Sequence, residues 1–376
     1  MPWKEVSAVE LREEFVMLAL VEGSCFRELC RRYGISPTTG YKWLSRHAAE
    51  GRAGLADRSR RPLSSPRRTA REIEERVLAL RERHPAWGGR KLRRRLQDLG
   101  LQAVPSASTI TAILRRHGRL EAVDSSKHRA FLRFEHAAPN DLWQMDFKGH
   151  FALSRGRCHP LSLIDDHSRF SPGLEACTNE QADTVRERLT GVFRRYGLPR
   201  RILADNGAPW GDDRESRQTR LTVWLLRLDI AVSHGRPYHP QTQGKAERFH
   251  RSLAAEALAG PPPRDLAECQ KRFDDWRHVY NTERPHQAIG LEVPLRRYRP
   301  SPRPFPERLA PLEYDSADIV RKVDVNGRLS WRARSFRVGK ALQGQAVAIR
   351  PTIDDGRYTV CLAHHAVATI DLNKTT

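Results

Sequence analysis

Three acidic side chains, Asp146, Asp205 and Glu247, stand at the ends of segments that read as regular structure. Asp146 lies in a strand-like run. Asp205 follows the short apolar run Ile202-Leu203-Ala204, and Glu247 opens a helical stretch. Hard divalent cations take carboxylate oxygens, and Mg²⁺ keeps water and phosphate oxygens among its ligands. Carboxylates from three elements suffice to cage two such ions, which activate a nucleophile and stabilise the leaving oxygen of an in-line displacement. That chemistry needs no protein nucleophile. No Ser/His/Asp set and no Gly-rich phosphate loop has convincing spacing. Asp165 and Asp166, in Ile164-Asp165-Asp166-His167-Ser168, read as residues of a turn. The six Cys (25, 30, 158, 177, 269 and 361) form no zinc-spaced set. They suit buried thiols in a reducing compartment better than a disulfide framework.

The charge names the kind of partner. Among 376 residues, 66 Lys and Arg stand against 45 Asp and Glu, a formal net charge of +21. Such a surplus calls for a polyanion, of which nucleic acid is the commonest. An Arg-rich genome would spread the excess evenly, whereas residues 51–100 alone hold 15 basic and 6 acidic residues, the clustering of a binding face. No run approaches 18 apolar residues, and the N-terminal stretch lacks the apolar region of a secretory signal. A soluble, cytoplasmic protein with no membrane partner is the expectation.

The elements that must position these residues follow from periodicity. Apolar repeats predict helices over 9–21 and 26–33. Gly34 then stops the chain, Ser36 caps and Pro37 opens a third helix, which makes a helix-turn-helix DNA-binding domain over 1–55. Thr38, Thr39, Lys42 and Arg46 would face DNA. Residues 56–70, rich in Pro, Ser and Arg, read as a basic linker whose Arg60 and Arg61 could track phosphates. A second helix-turn-helix-like domain is expected over 71–120, with Arg90, Lys91 and Arg94 on its basic helix. From about 136 to 298 the pattern changes to strands over 143–153, 158–165 and 169–176, a helix, a strand ending at Asp205, a helix, a strand at 230–232, and a helix carrying Glu247. This order gives an α/β core with a mixed sheet. Residues 299–316 form a Pro-rich linker. Short apolar runs over 317–376, with Asn326-Gly327 as a hairpin turn, predict a small all-β barrel. Trp224, Trp276 and Trp331 should pack cores. The whole is multidomain, with all-α units ahead of the core.

The settings of the three acids carry a resemblance. Trp143-Gln144-Met145-Asp146-Phe147, Ala204-Asp205-Asn206-Gly207 and the run from His234 to Leu253, with His239-Pro240-Gln241 and Gly244-Lys245-Ala246-Glu247 inside it, resemble the catalytic core of DDE transposases and retroviral-type integrases. The likeness is closest to bacterial insertion-sequence members with helix-turn-helix domains ahead of the core. It covers about 139–298 well and the N-terminal third in outline. It implies a ribonuclease-H-like core in which Asp146, Asp205 and Glu247 hold two Mg²⁺ or Mn²⁺ ions. It implies that His239, Gln243, Lys245 and Arg248 approach DNA. The reaction implied is cleavage at the 3′ ends of a mobile element and joining of those ends to target DNA. The partners implied are terminal inverted repeats and target DNA, with the protein as a homodimer or larger assembly at the bacterial nucleoid. A catalytically inactive repressor derived from a transposase, or a phage-type integrase, are the alternatives. Two departures stand out. Asp205 and Glu247 lie 42 positions apart, more than the family usually leaves, and the excess falls in the polar stretch 211–219. The zinc unit that opens viral integrases is replaced by helix-turn-helix units.

Overall fold

The structure, a computed structural model, describes residues 7–59, 68–120, 135–211, 218–235 and 244–373. It divides into two compact units, Met1–Arg68 and Thr69–Thr376.

The first unit is a helix-turn-helix domain. Ser7 caps α1 (Ala8–Ala19): its Oγ accepts from the Glu10 N–H at 3.2 Å while the Glu10 carboxylate accepts from Ser7 N–H at 2.7 Å, a reciprocal capping box. α2 (Phe26–Arg32) ends before Gly34, which takes φ +65°. Ser36 Oγ then accepts from Thr39 N–H, with Pro37 in the first turn of α3 (Pro37–Glu50). Phe15, Val16, Cys30, Trp43 and Leu55 form the core. Gly40, inside α3, lets the helices meet: a Cβ there would stand 2.8–2.9 Å from Phe26, Cys30 and Phe15.

The second unit opens with another helix-turn-helix, α4 (Arg71–Arg83), α5 (Gly89–Asp98) and α6 (Ala107–Arg116), closed around Val77, Trp87, Leu92, Ile110 and Leu114. The ribonuclease-H-like core follows. It comprises β1 (Trp143–Phe147), β2 (Phe151–Ala152), β3 (Arg157–Asp165), β4 (Gly173–Cys177), α7 (Ala182–Tyr196), β5 (Arg201–Ala204), α8 (Arg220–Arg227), β6 (Ala231–His234), α9 (Gly244–Glu256) and α10 (Leu266–Thr282). Its sheet is mixed. β4, β3 and β1 pair antiparallel, β1, β5 and β6 pair parallel, and β2 also lies against β3. The single strand expected over 143–153 breaks in two, because Gly149 turns the chain at φ +84°.

Alternation along the strands sorts side chains between two helical layers. Trp143, Met145, Leu161, Leu163 and Ile202 pack on α7 and α8. Ile164, Leu174 and Ala176 pack on α9 and α10. The Pro-rich stretch after the core lies along it: Leu198 N–H donates to Arg303 C=O and Ser301 N–H to Tyr196 C=O, each at 2.8 Å, while Phe305 and Leu309 join the first layer.

The C-terminal region is all-β, in two antiparallel sheets. One has the order β12 (His365–Asp371), β11 (Arg357–Leu362), β10 (Ala346–Pro351), β7 (Ile319–Lys322). The other is the ribbon β8 (Arg328–Trp331) with β9 (Arg334–Arg337). Asn326-Gly327 makes a turn but not the expected hairpin, because β7 pairs with β10. The tight hairpin turn is Arg332-Ala333, both at positive φ, the backbone such two-residue turns require. Trp331, Leu342, Val360 and Leu362 close over Val223 and Leu226 of α8. Trp224, Trp276 and Trp331 are all buried, as expected.

Helix propensity alone would make Gly40→Ala stabilising by about 1 kcal/mol. The crowding around Gly40 reverses the sign, and a loss of about 1–3 kcal/mol is expected. Gly191→Ala, on the open face of α7, should stabilise. Amide exchange of residues 8–50 for the first and thermal unfolding for the second would check the pair.

Candidate active site

Alternation in β1 points Trp143 and Met145 at α7 and α8, so Gln144 and Asp146 face α9. There Asp146 Oδ2 lies 3.8 Å from His250 Nδ1. His250 Nε2 stands 2.7 Å from Ser162 Oγ, which donates at 3.0 Å to the Asp146 carbonyl from the opposite position in the β1–β3 register. With that hydroxyl proton committed, His250 must donate from Nε2 and leave Nδ1 unprotonated toward Asp146. Burial, and then Lys148, pushes the His250 pKa down to about 4, so the ring is neutral.

Parallel pairing of β1 with β5 brings the end of β5 beside Asp146. The turn that holds Asp205 is anchored twice across to β6: His234 Nδ1 donates to Asp205 C=O at 2.7 Å, and Asn206 Nδ2 donates to Gly235 C=O at 3.0 Å. Asp205 Oδ1 is buried and has no hydrogen-bond partner among the described residues. Glu247 stands exposed in the first turn of α9.

Neighbouring acids act on Asp146. The Asp146 pKa is raised to about 7, by burial first and then by Asp205, with Glu247 and Glu180 adding and the Phe147 N–H opposing. Asp205 is also raised by burial, with Glu180 adding and the Gly207 N–H and His234 opposing. An orphaned Asp205 oxygen next to an Asp146 whose ionisation burial and neighbouring acids disfavour fits a cation. An all-carboxylate donor set suits Mg²⁺ or Mn²⁺. The oxygens of Asp146, Asp205 and Glu247 do not all lie within 4.8 Å of one another.

Asp165 and Asp166 are committed to structure. Asp165 accepts from Asn140 N–H, Ser168 N–H and Ser168 Oγ. Asp166 accepts from His136 N–H, Gln144 Nε2 and Lys245 Nζ. Lys245 thus pins the start of α9 two residues before Glu247.

Of the residues expected to meet DNA, Thr38 and Lys42 are exposed on α3, with Thr39 and Arg46 half-buried beside them. Lys42, Arg46 and Arg12 lie over the Trp43 ring. Arg60, Arg61, His239 and Gln243 lie outside the described residues, as do 212–217 of the stretch expected to hold the extra spacing. Arg94 pairs with Asp98 along its own helix at 3.1 Å. Arg90 and Lys91 line a cleft of about 520 Å³ with Gly88, Ser108, Thr111 and Gln287. The Lys91 pKa falls to about 8 through burial, then Arg284, with Glu256 opposing and Arg248 adding. Lys91 and Arg248, far apart in sequence, therefore share one positive field. It forms because α5 docks on the core through Arg95–Glu283 at 2.5 Å and Arg296–Asp98 at 3.7 Å.

Sequence reasoning passed over His250 and Glu180. His250, one helical turn past Glu247, was within reach of an i, i+3 argument. Glu180, which meets His159 Nδ1 at 2.9 Å, enters through the β3–β4 pairing alone and has no sequence signal.

Comparison with known proteins bears on the domains and their order. Family models match a helix-turn-helix domain over 11–62, a homeodomain-like domain over 39–114, the integrase core domain over 136–240 and again over 228–294, and the C-terminal domain of the IS481 family transposases over 318–376. The uncharacterized 39.2 kDa protein of insertion element IS476 from Xanthomonas euvesicatoria is 26% identical over 258 residues, covering 67% of this chain and 71% of that protein. The putative transposase of IS5376 from Geobacillus stearothermophilus is 23% identical over 244 residues, covering 61% of this chain and 59% of its own length. The HTLV-2 integrase catalytic core domain in complex with magnesium is 14% identical over 43% of this chain and 99% of that one, with a TM-score of 0.33. A simian T-cell lymphotropic virus intasome chain is 13% identical over 78% of this chain and 95% of that one, with a TM-score of 0.38. The matched models follow the domain order of an insertion-sequence transposase, with helix-turn-helix domains, an integrase core and an IS481-type C-terminal domain. No helix among the described residues is long and apolar enough to cross a membrane.

The raised Asp146 pKa has a consequence for stability. Between the unfolded pKa near 4 and the folded value of about 7, the native state binds the extra proton, so stability falls as pH rises through that window. Asp146→Asn in metal-free protein is therefore expected to stabilise at pH 8 by on the order of 2–4 kcal/mol, with the gain vanishing toward pH 4. Urea unfolding at the two pH values would check it.

Proposed function

We infer that this member of the transposase and integrase family is a polynucleotidyl transferase that cleaves the 3′ ends of a mobile DNA element and joins them to target DNA. Asp146, Asp205 and Glu247 are its catalytic and metal-holding acids. The observation that carries the reading is the meeting of half-buried Asp146 and Asp205, with Asp205 Oδ1 lacking any donor among the described residues and Asp146 lifted to about 7. When bound there, two Mg²⁺ or Mn²⁺ ions would supply the charge that activates the attacking hydroxyl and stabilises the leaving 3′ oxygen.

The remaining work belongs to the chain's own groups. Neutral His250 and Ser162 brace the Asp146 end of β1 against α9. His234 and Asn206 fix the turn that presents Asp205, and Lys245 on Asp166 sets where α9 starts and so where Glu247 stands. Water from one side, then a freed 3′-OH, would attack the phosphorus in line while the opposite P–O bond breaks. Terminal inverted repeats would be held by two DNA-binding domains, 1–55 through Thr38, Thr39, Lys42 and Arg46 and 71–120 through Arg90, Lys91 and Arg94. The basic linker 56–70, with Arg60 and Arg61, would run between them. His239, Gln243, Lys245 and Arg248 of the core (136–298) would meet the phosphates nearest the scissile bond. After the linker 299–316, the region 317–376 completes a chain that acts on DNA as a dimer or larger assembly in the bacterial cytoplasm.

Purified protein, DNA with the ends flanking its own gene and Mg²⁺ or Mn²⁺ should give cleavage and strand transfer. Glu247→Gln and Asp205→Ala should each lower the rate by about a hundredfold or more, and EDTA should abolish it. Unchanged joining by either variant would remove the triad from the reading. DNA affinity should also fall by about a thousandfold or more from 50 to 200 mM salt. A flat salt profile in a filter-binding assay would exclude phosphate contacts as the source of affinity.

A further inference from the structure

A second cluster of metal-binding side chains lies away from the three acids. Asp229 occupies the turn between α8 and β6 at φ +57°, and His364 and His365 sit at the β11–β12 hairpin turn. Packing of the C-terminal region on Val223 and Leu226 of α8 brings the two turns together. Both rings offer Nε2 to the same carboxylate oxygen: Asp229 Oδ1 lies 2.9 Å from His364 Nε2 and 3.3 Å from His365 Nε2. We propose that Asp229, His364 and His365 bind a divalent late transition-metal ion, Zn²⁺ by its chemistry, which fastens the C-terminal β region to the catalytic core.

Donor atoms about 2.0–2.2 Å from a tetrahedral ion stand about 3.3–3.5 Å apart. The observed separations lie at or just inside that edge, and all three atoms fall within 4.8 Å of one another. His365 Nε2 is buried and, with Asp229 Oδ1 3.3 Å away, has no well-aligned hydrogen-bond partner among the described residues. The other Asp229 oxygen is taken by Arg303 Nη2 at 3.1 Å, which orients Oδ1 for one bond to the ion. A cleft of about 280 Å³, lined also by Arg200 and Ala231, leaves room for a water as fourth ligand. Arg200 and Arg303 oppose a cation and make the site weaker than a closed four-ligand one. Two imidazoles exclude Mg²⁺ as the preferred occupant, which separates this site from the acids at Asp205. β6 runs from Ala231, two residues after Asp229, to His234 beside Asp205, so the two sites lie at opposite ends of one strand that is roughly 13 Å long for its four residues.

The test uses the full chain, stripped with chelator and dialysed against Zn²⁺ in excess Mg²⁺. One tight Zn²⁺ per chain is expected, with a thermal midpoint raised by about 3–6 °C at a hundredfold excess over Kd. His364→Gln, at an exposed turn position, and Asp229→Asn, which keeps a residue tolerant of positive φ, should each lose the bound Zn²⁺ and the shift. Both should keep the parent's circular dichroism. No Zn²⁺ on the parent, or the same stoichiometry and shift in both variants, would overturn the proposal. Either result leaves the reading of Asp146, Asp205 and Glu247 to the strand-transfer assay.

Discussion

The register of β1 is the constraint on which the candidate site depends. One edge of this strand pairs antiparallel with β3 and the other parallel with β5. The first pairing sets Asp146 opposite Ser162, and through it His250. The second brings the chain out of β5 at Asp205 beside the same carboxylate. A shift of one residue would exchange the faces of β1, burying Asp146 under α7 and sending Met145 toward α9. Packing of Trp143 and Met145 against Val185, Leu189, Phe193 and Trp224 prevents that shift. A hydrophobic layer on one side of the sheet thus fixes the chemistry on the other.

The site carries a cost that the fold tolerates. Burial and the neighbouring acids that raise the Asp146 pKa, and a buried Asp205 oxygen without a donor among the described residues, disfavour the native state. Much of the surrounding hydrogen bonding holds backbone in place and leaves the carboxylates unneutralised. His234 and Asn206 bond to carbonyls, and Ser162 bonds to the Asp146 carbonyl. Lys245, the nearby cation on α9, is engaged by Asp166. Negative charge is therefore concentrated where a cation and a phosphate would meet, while Lys91, Arg248 and Arg284 gather positive charge beside it.

α8 couples the core to the C-terminal region. Leu221, Trp224 and Leu225 face the sheet, while Val223 and Leu226 face the β region. A helix apolar on two sides is buried between layers, and this one carries a load from each. The C-terminal strands are set against the element that follows the Asp205 turn, so their seating bears on the same part of the sheet that presents the candidate site.

Much was determined by local sequence. The cap at Ser36, the stop at Gly34, the strand-like runs of β1, β3 and β5 and the approximate start of α9 follow from short-range sterics and hydrogen bonding. These act within a few residues and so leave a readable pattern. The three acids stood out because each falls at an element boundary within a specific motif. The pairing of β7 with β10 in place of β8, the entry of Glu180, the burial of Lys91 near Arg284 and the meeting of Asp229 with His364 and His365 had no such pattern. Each depends on partners dozens to hundreds of residues away. Only side-chain packing across layers selects those partners, and that selection belongs to the tertiary structure.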